Sequence, residues 1–460
     1  YEIAEFIREC AAQIEELGDQ LISVAASETA LPIQRLVGER ERTCGQLRMF
    51  ADLAEEGEWV QASIDTAIPG RSPVPKPDLR RQLRPLGVVA VFGASNFPFA
   101  FGILGGDSAS ALAAGNAIVV KGHPSHPSTS ELLAHAIIRA IENSRMPMGL
   151  FSLLQGAEND LGTNLVSNDE VAAVGFTGSL SGGRALMNVA AARTSPIPVF
   201  AEMGSTNPVF ILSDALSSRS EEIASDLASS VTLGTGQFCT SPGIVISSDS
   251  DDFGDSLKNA LHRSQTGPML NNAISDFYEL AISRRTDLSG VYDETASCDL
   301  RPGNSVKTVL HKTSADIFLK DPALLEEVFG PAILWVCCDD GSDMIACAEH
   351  IEGSLTASVI CDREDRAQEL IEVLERKAGR IVFNGYPTGV EVCPSMQHGG
   401  PYPASSSYSA TSVGTDAITR FARFTCYQNM PDELLPDAVK NDNPLGIFRR
   451  VNGALTNGTL

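Results

Sequence analysis

Long hydrophobic runs are missing from this 460-residue sequence. No apolar stretch approaches the ~18–20 residues needed to cross a bilayer, so a membrane-spanning helix is not expected. Basic charge is scarce as well. With 34 Lys and Arg against 58 Asp and Glu, a net charge of −24 and a pI near 4.6, the chain lacks the basic surface that nucleic acid or an anionic membrane demands. An anionic small molecule is not excluded, because a few local cations decide that contact. Tryptophan occurs only at Trp59 and Trp335, too seldom for an aromatic platform. The ten cysteines form no C-x-x-C pair and no His/Cys cluster at zinc spacing, so neither a disulfide framework nor a structural metal is expected. A reducing cytoplasm is the simplest setting. No secretory signal is legible, since Tyr1 opens directly into the charged amphipathic pattern YEIAEFIRECAAQIEEL. The absent initiator Met is read as a short preceding segment.

What is present is ordinary globular material, 43% hydrophobic and 20% charged, long enough for two or three domains. Residues 1–56 have helical periodicity, with Ile3, Phe6, Ile7 and Ala11 on one face and a second helix through Leu36 to Leu53. The Pro-rich, positively charged stretch IPGRSPVPKPDLRRQLRP (68–85) is too broken for a helix and suits an extended hairpin. From Leu86 apolar runs at 87–93, 117–121, 151–155 and 171–176 alternate with helical segments near 105–114, 128–143 and 158–167. That alternation predicts buried parallel strands in a doubly wound α/β sheet. After Ser205 a second series begins with NPVFIL (207–212), a long helix from Asp214 and IVIS (244–247), which predicts a second α/β domain. The tail after Gln428 is rich in Pro, Asp and Asn and is expected to wrap a neighbour or the surface.

Four fragments carry residues suited to chemistry. In GTGQFCTSPG (234–243) Cys239 lies in a Gly-flanked loop, where a thiol is reachable; Cys337, Cys338 and Cys361 fall in strand-like contexts instead. In VFAEMGSTNPVFIL (199–212) Glu202 sits in an apolar strand-and-turn context, where burial raises a carboxyl pKa towards proton-transfer work near neutrality; a turn-capping Glu is the alternative. In VFGASNFPFAFG (91–102) Asn96 follows a strand at the carboxyl edge of the sheet, where its amide can donate to an oxyanion; an ordinary turn Asn is the alternative. In AIVVKGHPSHP (117–127) Lys121 ends a strand at the same edge, placed to bond hydroxyls or phosphate, or merely snorkelling. His123 and His126 flank Pro124 in a loop and are not expected to hold zinc.

Taken together the fragments resemble the aldehyde dehydrogenase superfamily along nearly the whole chain. The match is closest to the branch of α-ketoglutaric semialdehyde dehydrogenases and the NADP-linked fatty-aldehyde dehydrogenase of luminous bacteria. The strings that carry it are FGASNFPFAF, GGDSASALAAGNAIVVKGHPSHP, GFTGS, FAEMGSTNPVF, GQFCTSPG, EEVFGP, FNGYPTGVEV and HGGPYPASS, in the family's order.

The resemblance implies an α/β fold with a Rossmann-type cofactor domain (1–66 and 86–204), an α/β catalytic domain (205–410) and oligomerisation elements in 67–85 and 411–460. It implies Cys239 as nucleophile, Glu202 as general base and Asn96 as oxyanion donor with the Cys239 backbone N–H. Lys121 would bond the adenosine ribose, and Gly178 and Ser179 would meet the pyrophosphate at a helix N-terminus. Glu327 and Phe329, in EEVFGP, would hold the nicotinamide ribose and ring. Many NAD-preferring members carry Glu three residues after the Lys; Pro124 stands there, so NADP is expected to be accepted, with Arg184 a possible cation for its phosphate. The expected reaction is oxidation of an aldehyde, first of all α-ketoglutaric semialdehyde, to the acid through a Cys239 thioester, in a homodimer or homotetramer and without metal. Medium- or long-chain aliphatic aldehydes, a CoA-acylating reaction and a catalytically silent member are the alternatives.

Overall fold

The computed structural model describes residues 1–264, 266–296 and 305–460. Three helices open the chain, Glu2–Glu16 (α1), Gly18–Thr29 (α2) and Ile33–Glu56 (α3). Two short strands follow, Ser63–Asp65 (β1) and Leu79–Pro85 (β2). The first α/β series is Val88–Phe92 (β3), Gly106–Ala113 (α4), Ala117–Lys121 (β4), Pro127–Asn143 (α5), Phe151–Leu154 (β5), Asn159–Ser167 (α6), Val171–Thr177 (β6), Leu180–Ala192 (α7) and Val199–Glu202 (β7). Its five strands pair in parallel in the order β5-β4-β3-β6-β7. The central strand β3 shows why both faces are covered. Val89 and Val91 point into a core shared with α1, α3 and α5, whereas Ala90 and Phe92 point into one shared with α6 and α7. The strand order reverses between β3 and β6, so the loops after those two strands frame a crevice.

The second series is Val209–Ile211 (β8), Ser213–Thr232 (α8), Ile244–Ser248 (β9), Asp251–Arg263 (α9), Asn272–Thr286 (α10), Tyr292–Asp293 (β10), Val309–Ser314 (β11), Ala332–Cys338 (β12), Ser354–Ile360 (β13) and Ala378–Phe383 (β14). These strands form a seven-stranded sheet, β10-β11-β12-β9-β8-β13-β14, parallel except for the edge pair β10–β11. Val245 and Trp335 face one side of it, Ile244, Ile246 and Leu334 the other.

A third, small sheet gathers the remaining strands, including Ala422–Gln428 (β15), Arg449–Val451 (β16) and Ala454–Thr456 (β17), in the order β15-β2-β1-β16-β17. The hairpin expected over 68–85 is realised differently. Its Pro-rich half is the connecting loop, closed by an Ile68–Lys76 bridge, and its arms are β1 and β2. Proline supplies no N–H for a ladder, which explains why pairing begins only at Leu79. The tail supplies two strands to this sheet. Buried Arg80 fastens it by donating to the Val439 carbonyl at 2.7 Å and to Asn441 Oδ1 at 2.9 Å. Among the described residues no helix is long and apolar enough to cross a membrane.

One buried ion pair joins the first sheet to the segment that leads into β15. Asp107 on α4 and Arg420 lie 2.8 Å apart, with side chains only 7% and 4% exposed. Substituting Arg420 with Met leaves the Asp107 carboxylate buried and uncompensated. The expected loss is about 3–5 kcal/mol, read from urea unfolding midpoints. A loss below ~1 kcal/mol would show that the pair does not tie these segments together.

Candidate functional site

Cys239 is presented by an abrupt reversal of the chain after α8. Gly234, Thr235 and Gly236 all have positive φ (56°, 60° and 67°). Gly236 is required twice over, because a Cβ there would also lie 2.3 Å from the Gly330 carbonyl carbon. The turn is pinned from beneath by fully buried Asn207, whose amide donates to the Cys239 carbonyl at 2.8 Å and to the Ser241 carbonyl at 2.9 Å. The Asn207 oxygen accepts from Ser205 and Thr356, so the oxygen and both N–H groups of the amide are engaged. Cys239 itself stays partly exposed, unlike buried Cys338 and Cys361.

The thiol lies 3.6 Å from His398 Nε2, and the same nitrogen lies 3.0 Å from Glu202 Oε1. Ser412 donates to Glu202 Oε2 at 2.5 Å. Glu202 is the last residue of β7, and the segment around 404–406 docks along that strand end: Met203 N–H donates to the Ala404 carbonyl and Ser406 N–H to the Ala201 carbonyl. Docking this segment brings His398 and Ser412 to Glu202. Sequence reasoning singled out Cys239 and Glu202 but assigned no role to His398, Ser412 or Asn207. His398 stands within the quoted string HGGPYPASS, and a lone His beside two glycines gave no further signal.

Burial is the largest influence on the Glu202 carboxyl and pushes its pKa up. The His398 charge and hydrogen bonds from His398, Ser412 and Cys239 outweigh it, so the net shift is downward. This corrects the sequence-based expectation of a raised Glu202, which counted burial without the partners. The Cys239 thiol is driven well above its ordinary value, by burial first and then by the negative charge and hydrogen bond of Glu202, against a smaller opposing effect of Arg42. At neutral pH the resting pair is therefore a protonated thiol beside an ionised carboxylate. Sγ, Nε2 and Oε1 lie within 4.8 Å of one another, so this is also the grouping among the described residues whose ligand atoms converge enough for a divalent cation.

Asn96 is buried in the loop after β3, and its amide donates to the Gln237 carbonyl at 3.0 Å, two residues before Cys239. One amide N–H thus fixes the side chain against the Cys239 turn and the other is left for a second acceptor. Helix α3 grips this loop. Arg35 donates to the Asn96 carbonyl at 2.6 Å, and Glu39 accepts the Phe99 and Ala100 N–H groups at 2.8 and 3.0 Å. His126 Nε2 meets the Ala94 carbonyl at 2.9 Å, and burial first, then the charges of His126 and Lys121, push His123 down to about 3.

Along the same carboxyl edge, Lys121 ends β4 opposite Phe92 of β3, which in turn faces Phe176 of β6. Partial burial lowers the Lys121 pKa, opposed by the charge of Glu158. Gly178 and Ser179 form the turn into α7, where Ser179 accepts the Gly182 N–H at 3.2 Å, and Thr177 Oγ1 nearby is buried without a partner. An exposed helix N-terminus, an orphaned hydroxyl and a strand-end lysine fit a phosphate-bearing cofactor. Arg184 is exposed on α7 with its guanidinium 5.9 Å from the Tyr402 ring centre.

Glu327 and Phe329 meet the Cys239 turn across a cleft lined also by Ser205, Thr206, Gly236 and Phe238. Gly204 lets the Glu327 carboxyl come close, since a Cβ would fall 2.5 Å from Glu327 Oε2 and displace it. Arg285 of α10, which sequence reasoning missed, donates to the Glu326 carbonyl at 2.8 Å and steadies this turn. Burial pushes Glu327 up to about 7 against a hydrogen bond from the Ser205 backbone. The folded protein therefore keeps a proton on Glu327 through a window in which the unfolded chain, at its ordinary 4.5, has lost it. Its contribution to stability is full below pH 4.5 and is lost as pH rises to about 7. Glu327→Gln lacks this dependence, so its urea midpoint should gain on the wild type across that interval. A constant difference between the two would refute the assignment.

The profile of the Aldehyde dehydrogenase family matches residues 1–424. The chain is 49% identical over 459 residues to "Alpha-ketoglutaric semialdehyde dehydrogenase 2" of Azospirillum brasilense, covering 98% of this chain and 87% of that protein. It is 46% identical, with the same coverage, to "Alpha-ketoglutaric semialdehyde dehydrogenase" of Acinetobacter baylyi. Among solved structures it resembles lactaldehyde dehydrogenase of Escherichia coli, at 23% identity, TM-score 0.78 and coverage of 93% and 86% of the two chains. It also resembles the glyceraldehyde-3-phosphate dehydrogenase GapN of Methanocaldococcus jannaschii complexed with NADP, at 21% identity, TM-score 0.76 and coverage of 93% and 89%.

Proposed function

This chain belongs to the aldehyde dehydrogenase family, and on that premise we propose that it oxidises α-ketoglutaric semialdehyde to α-ketoglutarate with NAD(P). The observation that carries the chemistry is the convergence of Cys239 Sγ, His398 Nε2 and Glu202 Oε1 beside the Asn96 loop. The substrate reading is supported by relatives 46–49% identical over nearly the full chain.

The resting thiol is protonated, so attack needs a base. Glu202 is ionised and hydrogen-bonded to the thiol, so it can take the Cys239 proton directly while His398 Nε2–H donates to the same carboxylate. The thiolate adds to the aldehyde carbon, and the free Asn96 N–H together with the Cys239 backbone N–H holds the oxyanion. Bound NAD(P) supplies the acceptor for the hydride that leaves this carbon as the thioester forms. After releasing the thiol's proton to solvent, Glu202, held by Ser412 and His398, takes a proton from water, hydroxide adds to the thioester, and the Cys239 thiolate leaves. Lys121, Gly178, Ser179, Glu327 and Phe329 line the carboxyl edge and the cleft and are assigned to the cofactor. Pro124 stands where a Glu would repel a 2′-phosphate, and Arg184 lies nearby in sequence to the Ser179 turn, which supports use of NADP. The first sheet with α1–α3 (1–66 and 86–204) is the cofactor domain, 205–410 the catalytic domain, and 67–85 with 411–460 the subunit contact. Exposed Phe424, Leu434, Phe448 and Leu455 support a homodimer or homotetramer.

Reduced cofactor should form from α-ketoglutaric semialdehyde without CoA, and with NADP at least as efficiently as with NAD. Cys239→Ala should abolish turnover, and Glu202→Gln and His398→Asn should each lower kcat by ~10²–10⁴. Turnover of hexanal alone would overturn the substrate, and a requirement for CoA would overturn hydrolysis.

A further inference from the structure

Arg42 lies on α3, one turn beyond Glu39, and takes no part in the steps derived above. Its guanidinium carbon sits 5.9 Å from the Phe97 ring centre and 5.8 Å from that of Phe101. Phe101 in turn lies 6.4 Å, centre to centre, from the His398 ring. Phe97, Phe101 and Phe238 belong to one apolar cluster with Val390, Val392 and Met396 of the following loop. Arg35 shares this surface, 5.0 Å from Phe97 and 4.7 Å from Phe238; its Nη2 is held by the Asn96 carbonyl, while its Nη1 is buried without a partner. Arg42 is not committed: among the described residues it makes no hydrogen bond and no ion pair, and its Nε is buried without a partner.

A guanidinium left unpaired beside aromatic rings costs stability that a ligand can return. Glu39 and Glu391 are close enough to be felt by Arg42, yet neither approaches to ion-pair distance. Burial also pushes the Glu39 carboxyl up, which weakens it as a competitor for the guanidinium. The charge of Arg42 likewise reaches Cys239 and Glu202, so the guanidinium and the reacting thiol share one field. With a net charge of −24, the protein needs such a local cation to hold an anion near two carboxylates.

We propose that Arg42 is the receptor for the distal carboxylate of the substrate, so that the site selects aldehydes carrying an acid group at the far end of a short chain. The aldehyde end reaches Cys239 while the carbon chain crosses the Phe97 and Phe101 rings. The carboxylate accepts from the Arg42 fork, a planar donor pair that matches carboxylate geometry. This rests on the semialdehyde reading above and names the residue that enforces it.

The test compares wild type, Arg42→Met and Arg42→Lys on α-ketoglutaric semialdehyde, succinic semialdehyde and hexanal. Alongside, the ability of glutarate to protect Cys239 from iodoacetamide is measured. In Arg42→Met the ratio of kcat/KM for either semialdehyde to that for hexanal should fall roughly 10- to 100-fold, mainly through KM, the size of one hydrogen-bonded charge pair. Glutarate protection should vanish in Arg42→Met and partly return in Arg42→Lys. Equal losses on all three aldehydes, or glutarate protection that survives in Arg42→Met, would overturn the proposal. If Arg42→Met fails to fold, Arg42→Lys decides, and an unchanged ratio together with unchanged protection there overturns it too. Wild type that oxidises hexanal but neither semialdehyde would sink the substrate reading itself, an outcome distinct from intact semialdehyde turnover that ignores Arg42.

Discussion

A carboxylate taken fully out of water must be paired, and the way Glu202 meets that demand organises the site. Its two oxygens are taken by His398 at 3.0 Å and Ser412 at 2.5 Å, and both partners come from a segment far along the chain. Satisfying Glu202 therefore requires the 404–406 stretch to lie along the end of β7, and that docking sets the imidazole beside Cys239. Chemistry and assembly share one contact. The pairing also decides protonation, because it keeps the carboxylate charged while the same charge holds the neighbouring thiol in its neutral form.

Close packing of glycines does the complementary work of bringing the turns together. Gly236 lies against the Gly330 backbone at a separation that leaves no room for a Cβ, and Gly204 lies against the Glu327 side chain. Three strings far apart in sequence thus meet around one cleft, those of Gly236 and Gly330 backbone to backbone. Helix α3 adds the fourth side, with Arg35 and Glu39 bonded to the Asn96 loop. A helix that sequence marks only by its periodicity is in this way part of the scaffold of the site.

The parallel strands of the first sheet were legible from their apolar runs. The observed Ala117–Lys121 coincides with its expected range, and Val88–Phe92 differs from the expected 87–93 by one residue at each end. Cys239, Glu202 and Asn96 were legible because each interrupts a pattern: a thiol between glycines, an acid in an apolar strand, an amide at a strand end. His398, Ser412 and Arg42 interrupt nothing. Their significance comes only from tertiary contact, as does the downward shift of Glu202, whose sign depends on partners that local sequence does not reveal. The small sheet was half legible. Its Pro-rich loop was read from composition, whereas the contribution of Arg449–Val451 depends on long-range pairing with β1.

The most direct test of this account is the pH dependence of Cys239 alkylation by iodoacetamide in the cofactor-free wild type and in Glu202→Gln. Burial and the Glu202 charge together predict a wild-type thiol that titrates above the ordinary 9. Removing the charge should lower that apparent pKa, so the Gln variant carries a more readily ionised thiol and is nonetheless the slower enzyme. A wild-type thiolate already formed below pH 7, or a thiol pKa that stays put or rises in Glu202→Gln, would contradict the claim that one paired carboxylate governs both the structure and the reactivity of the site.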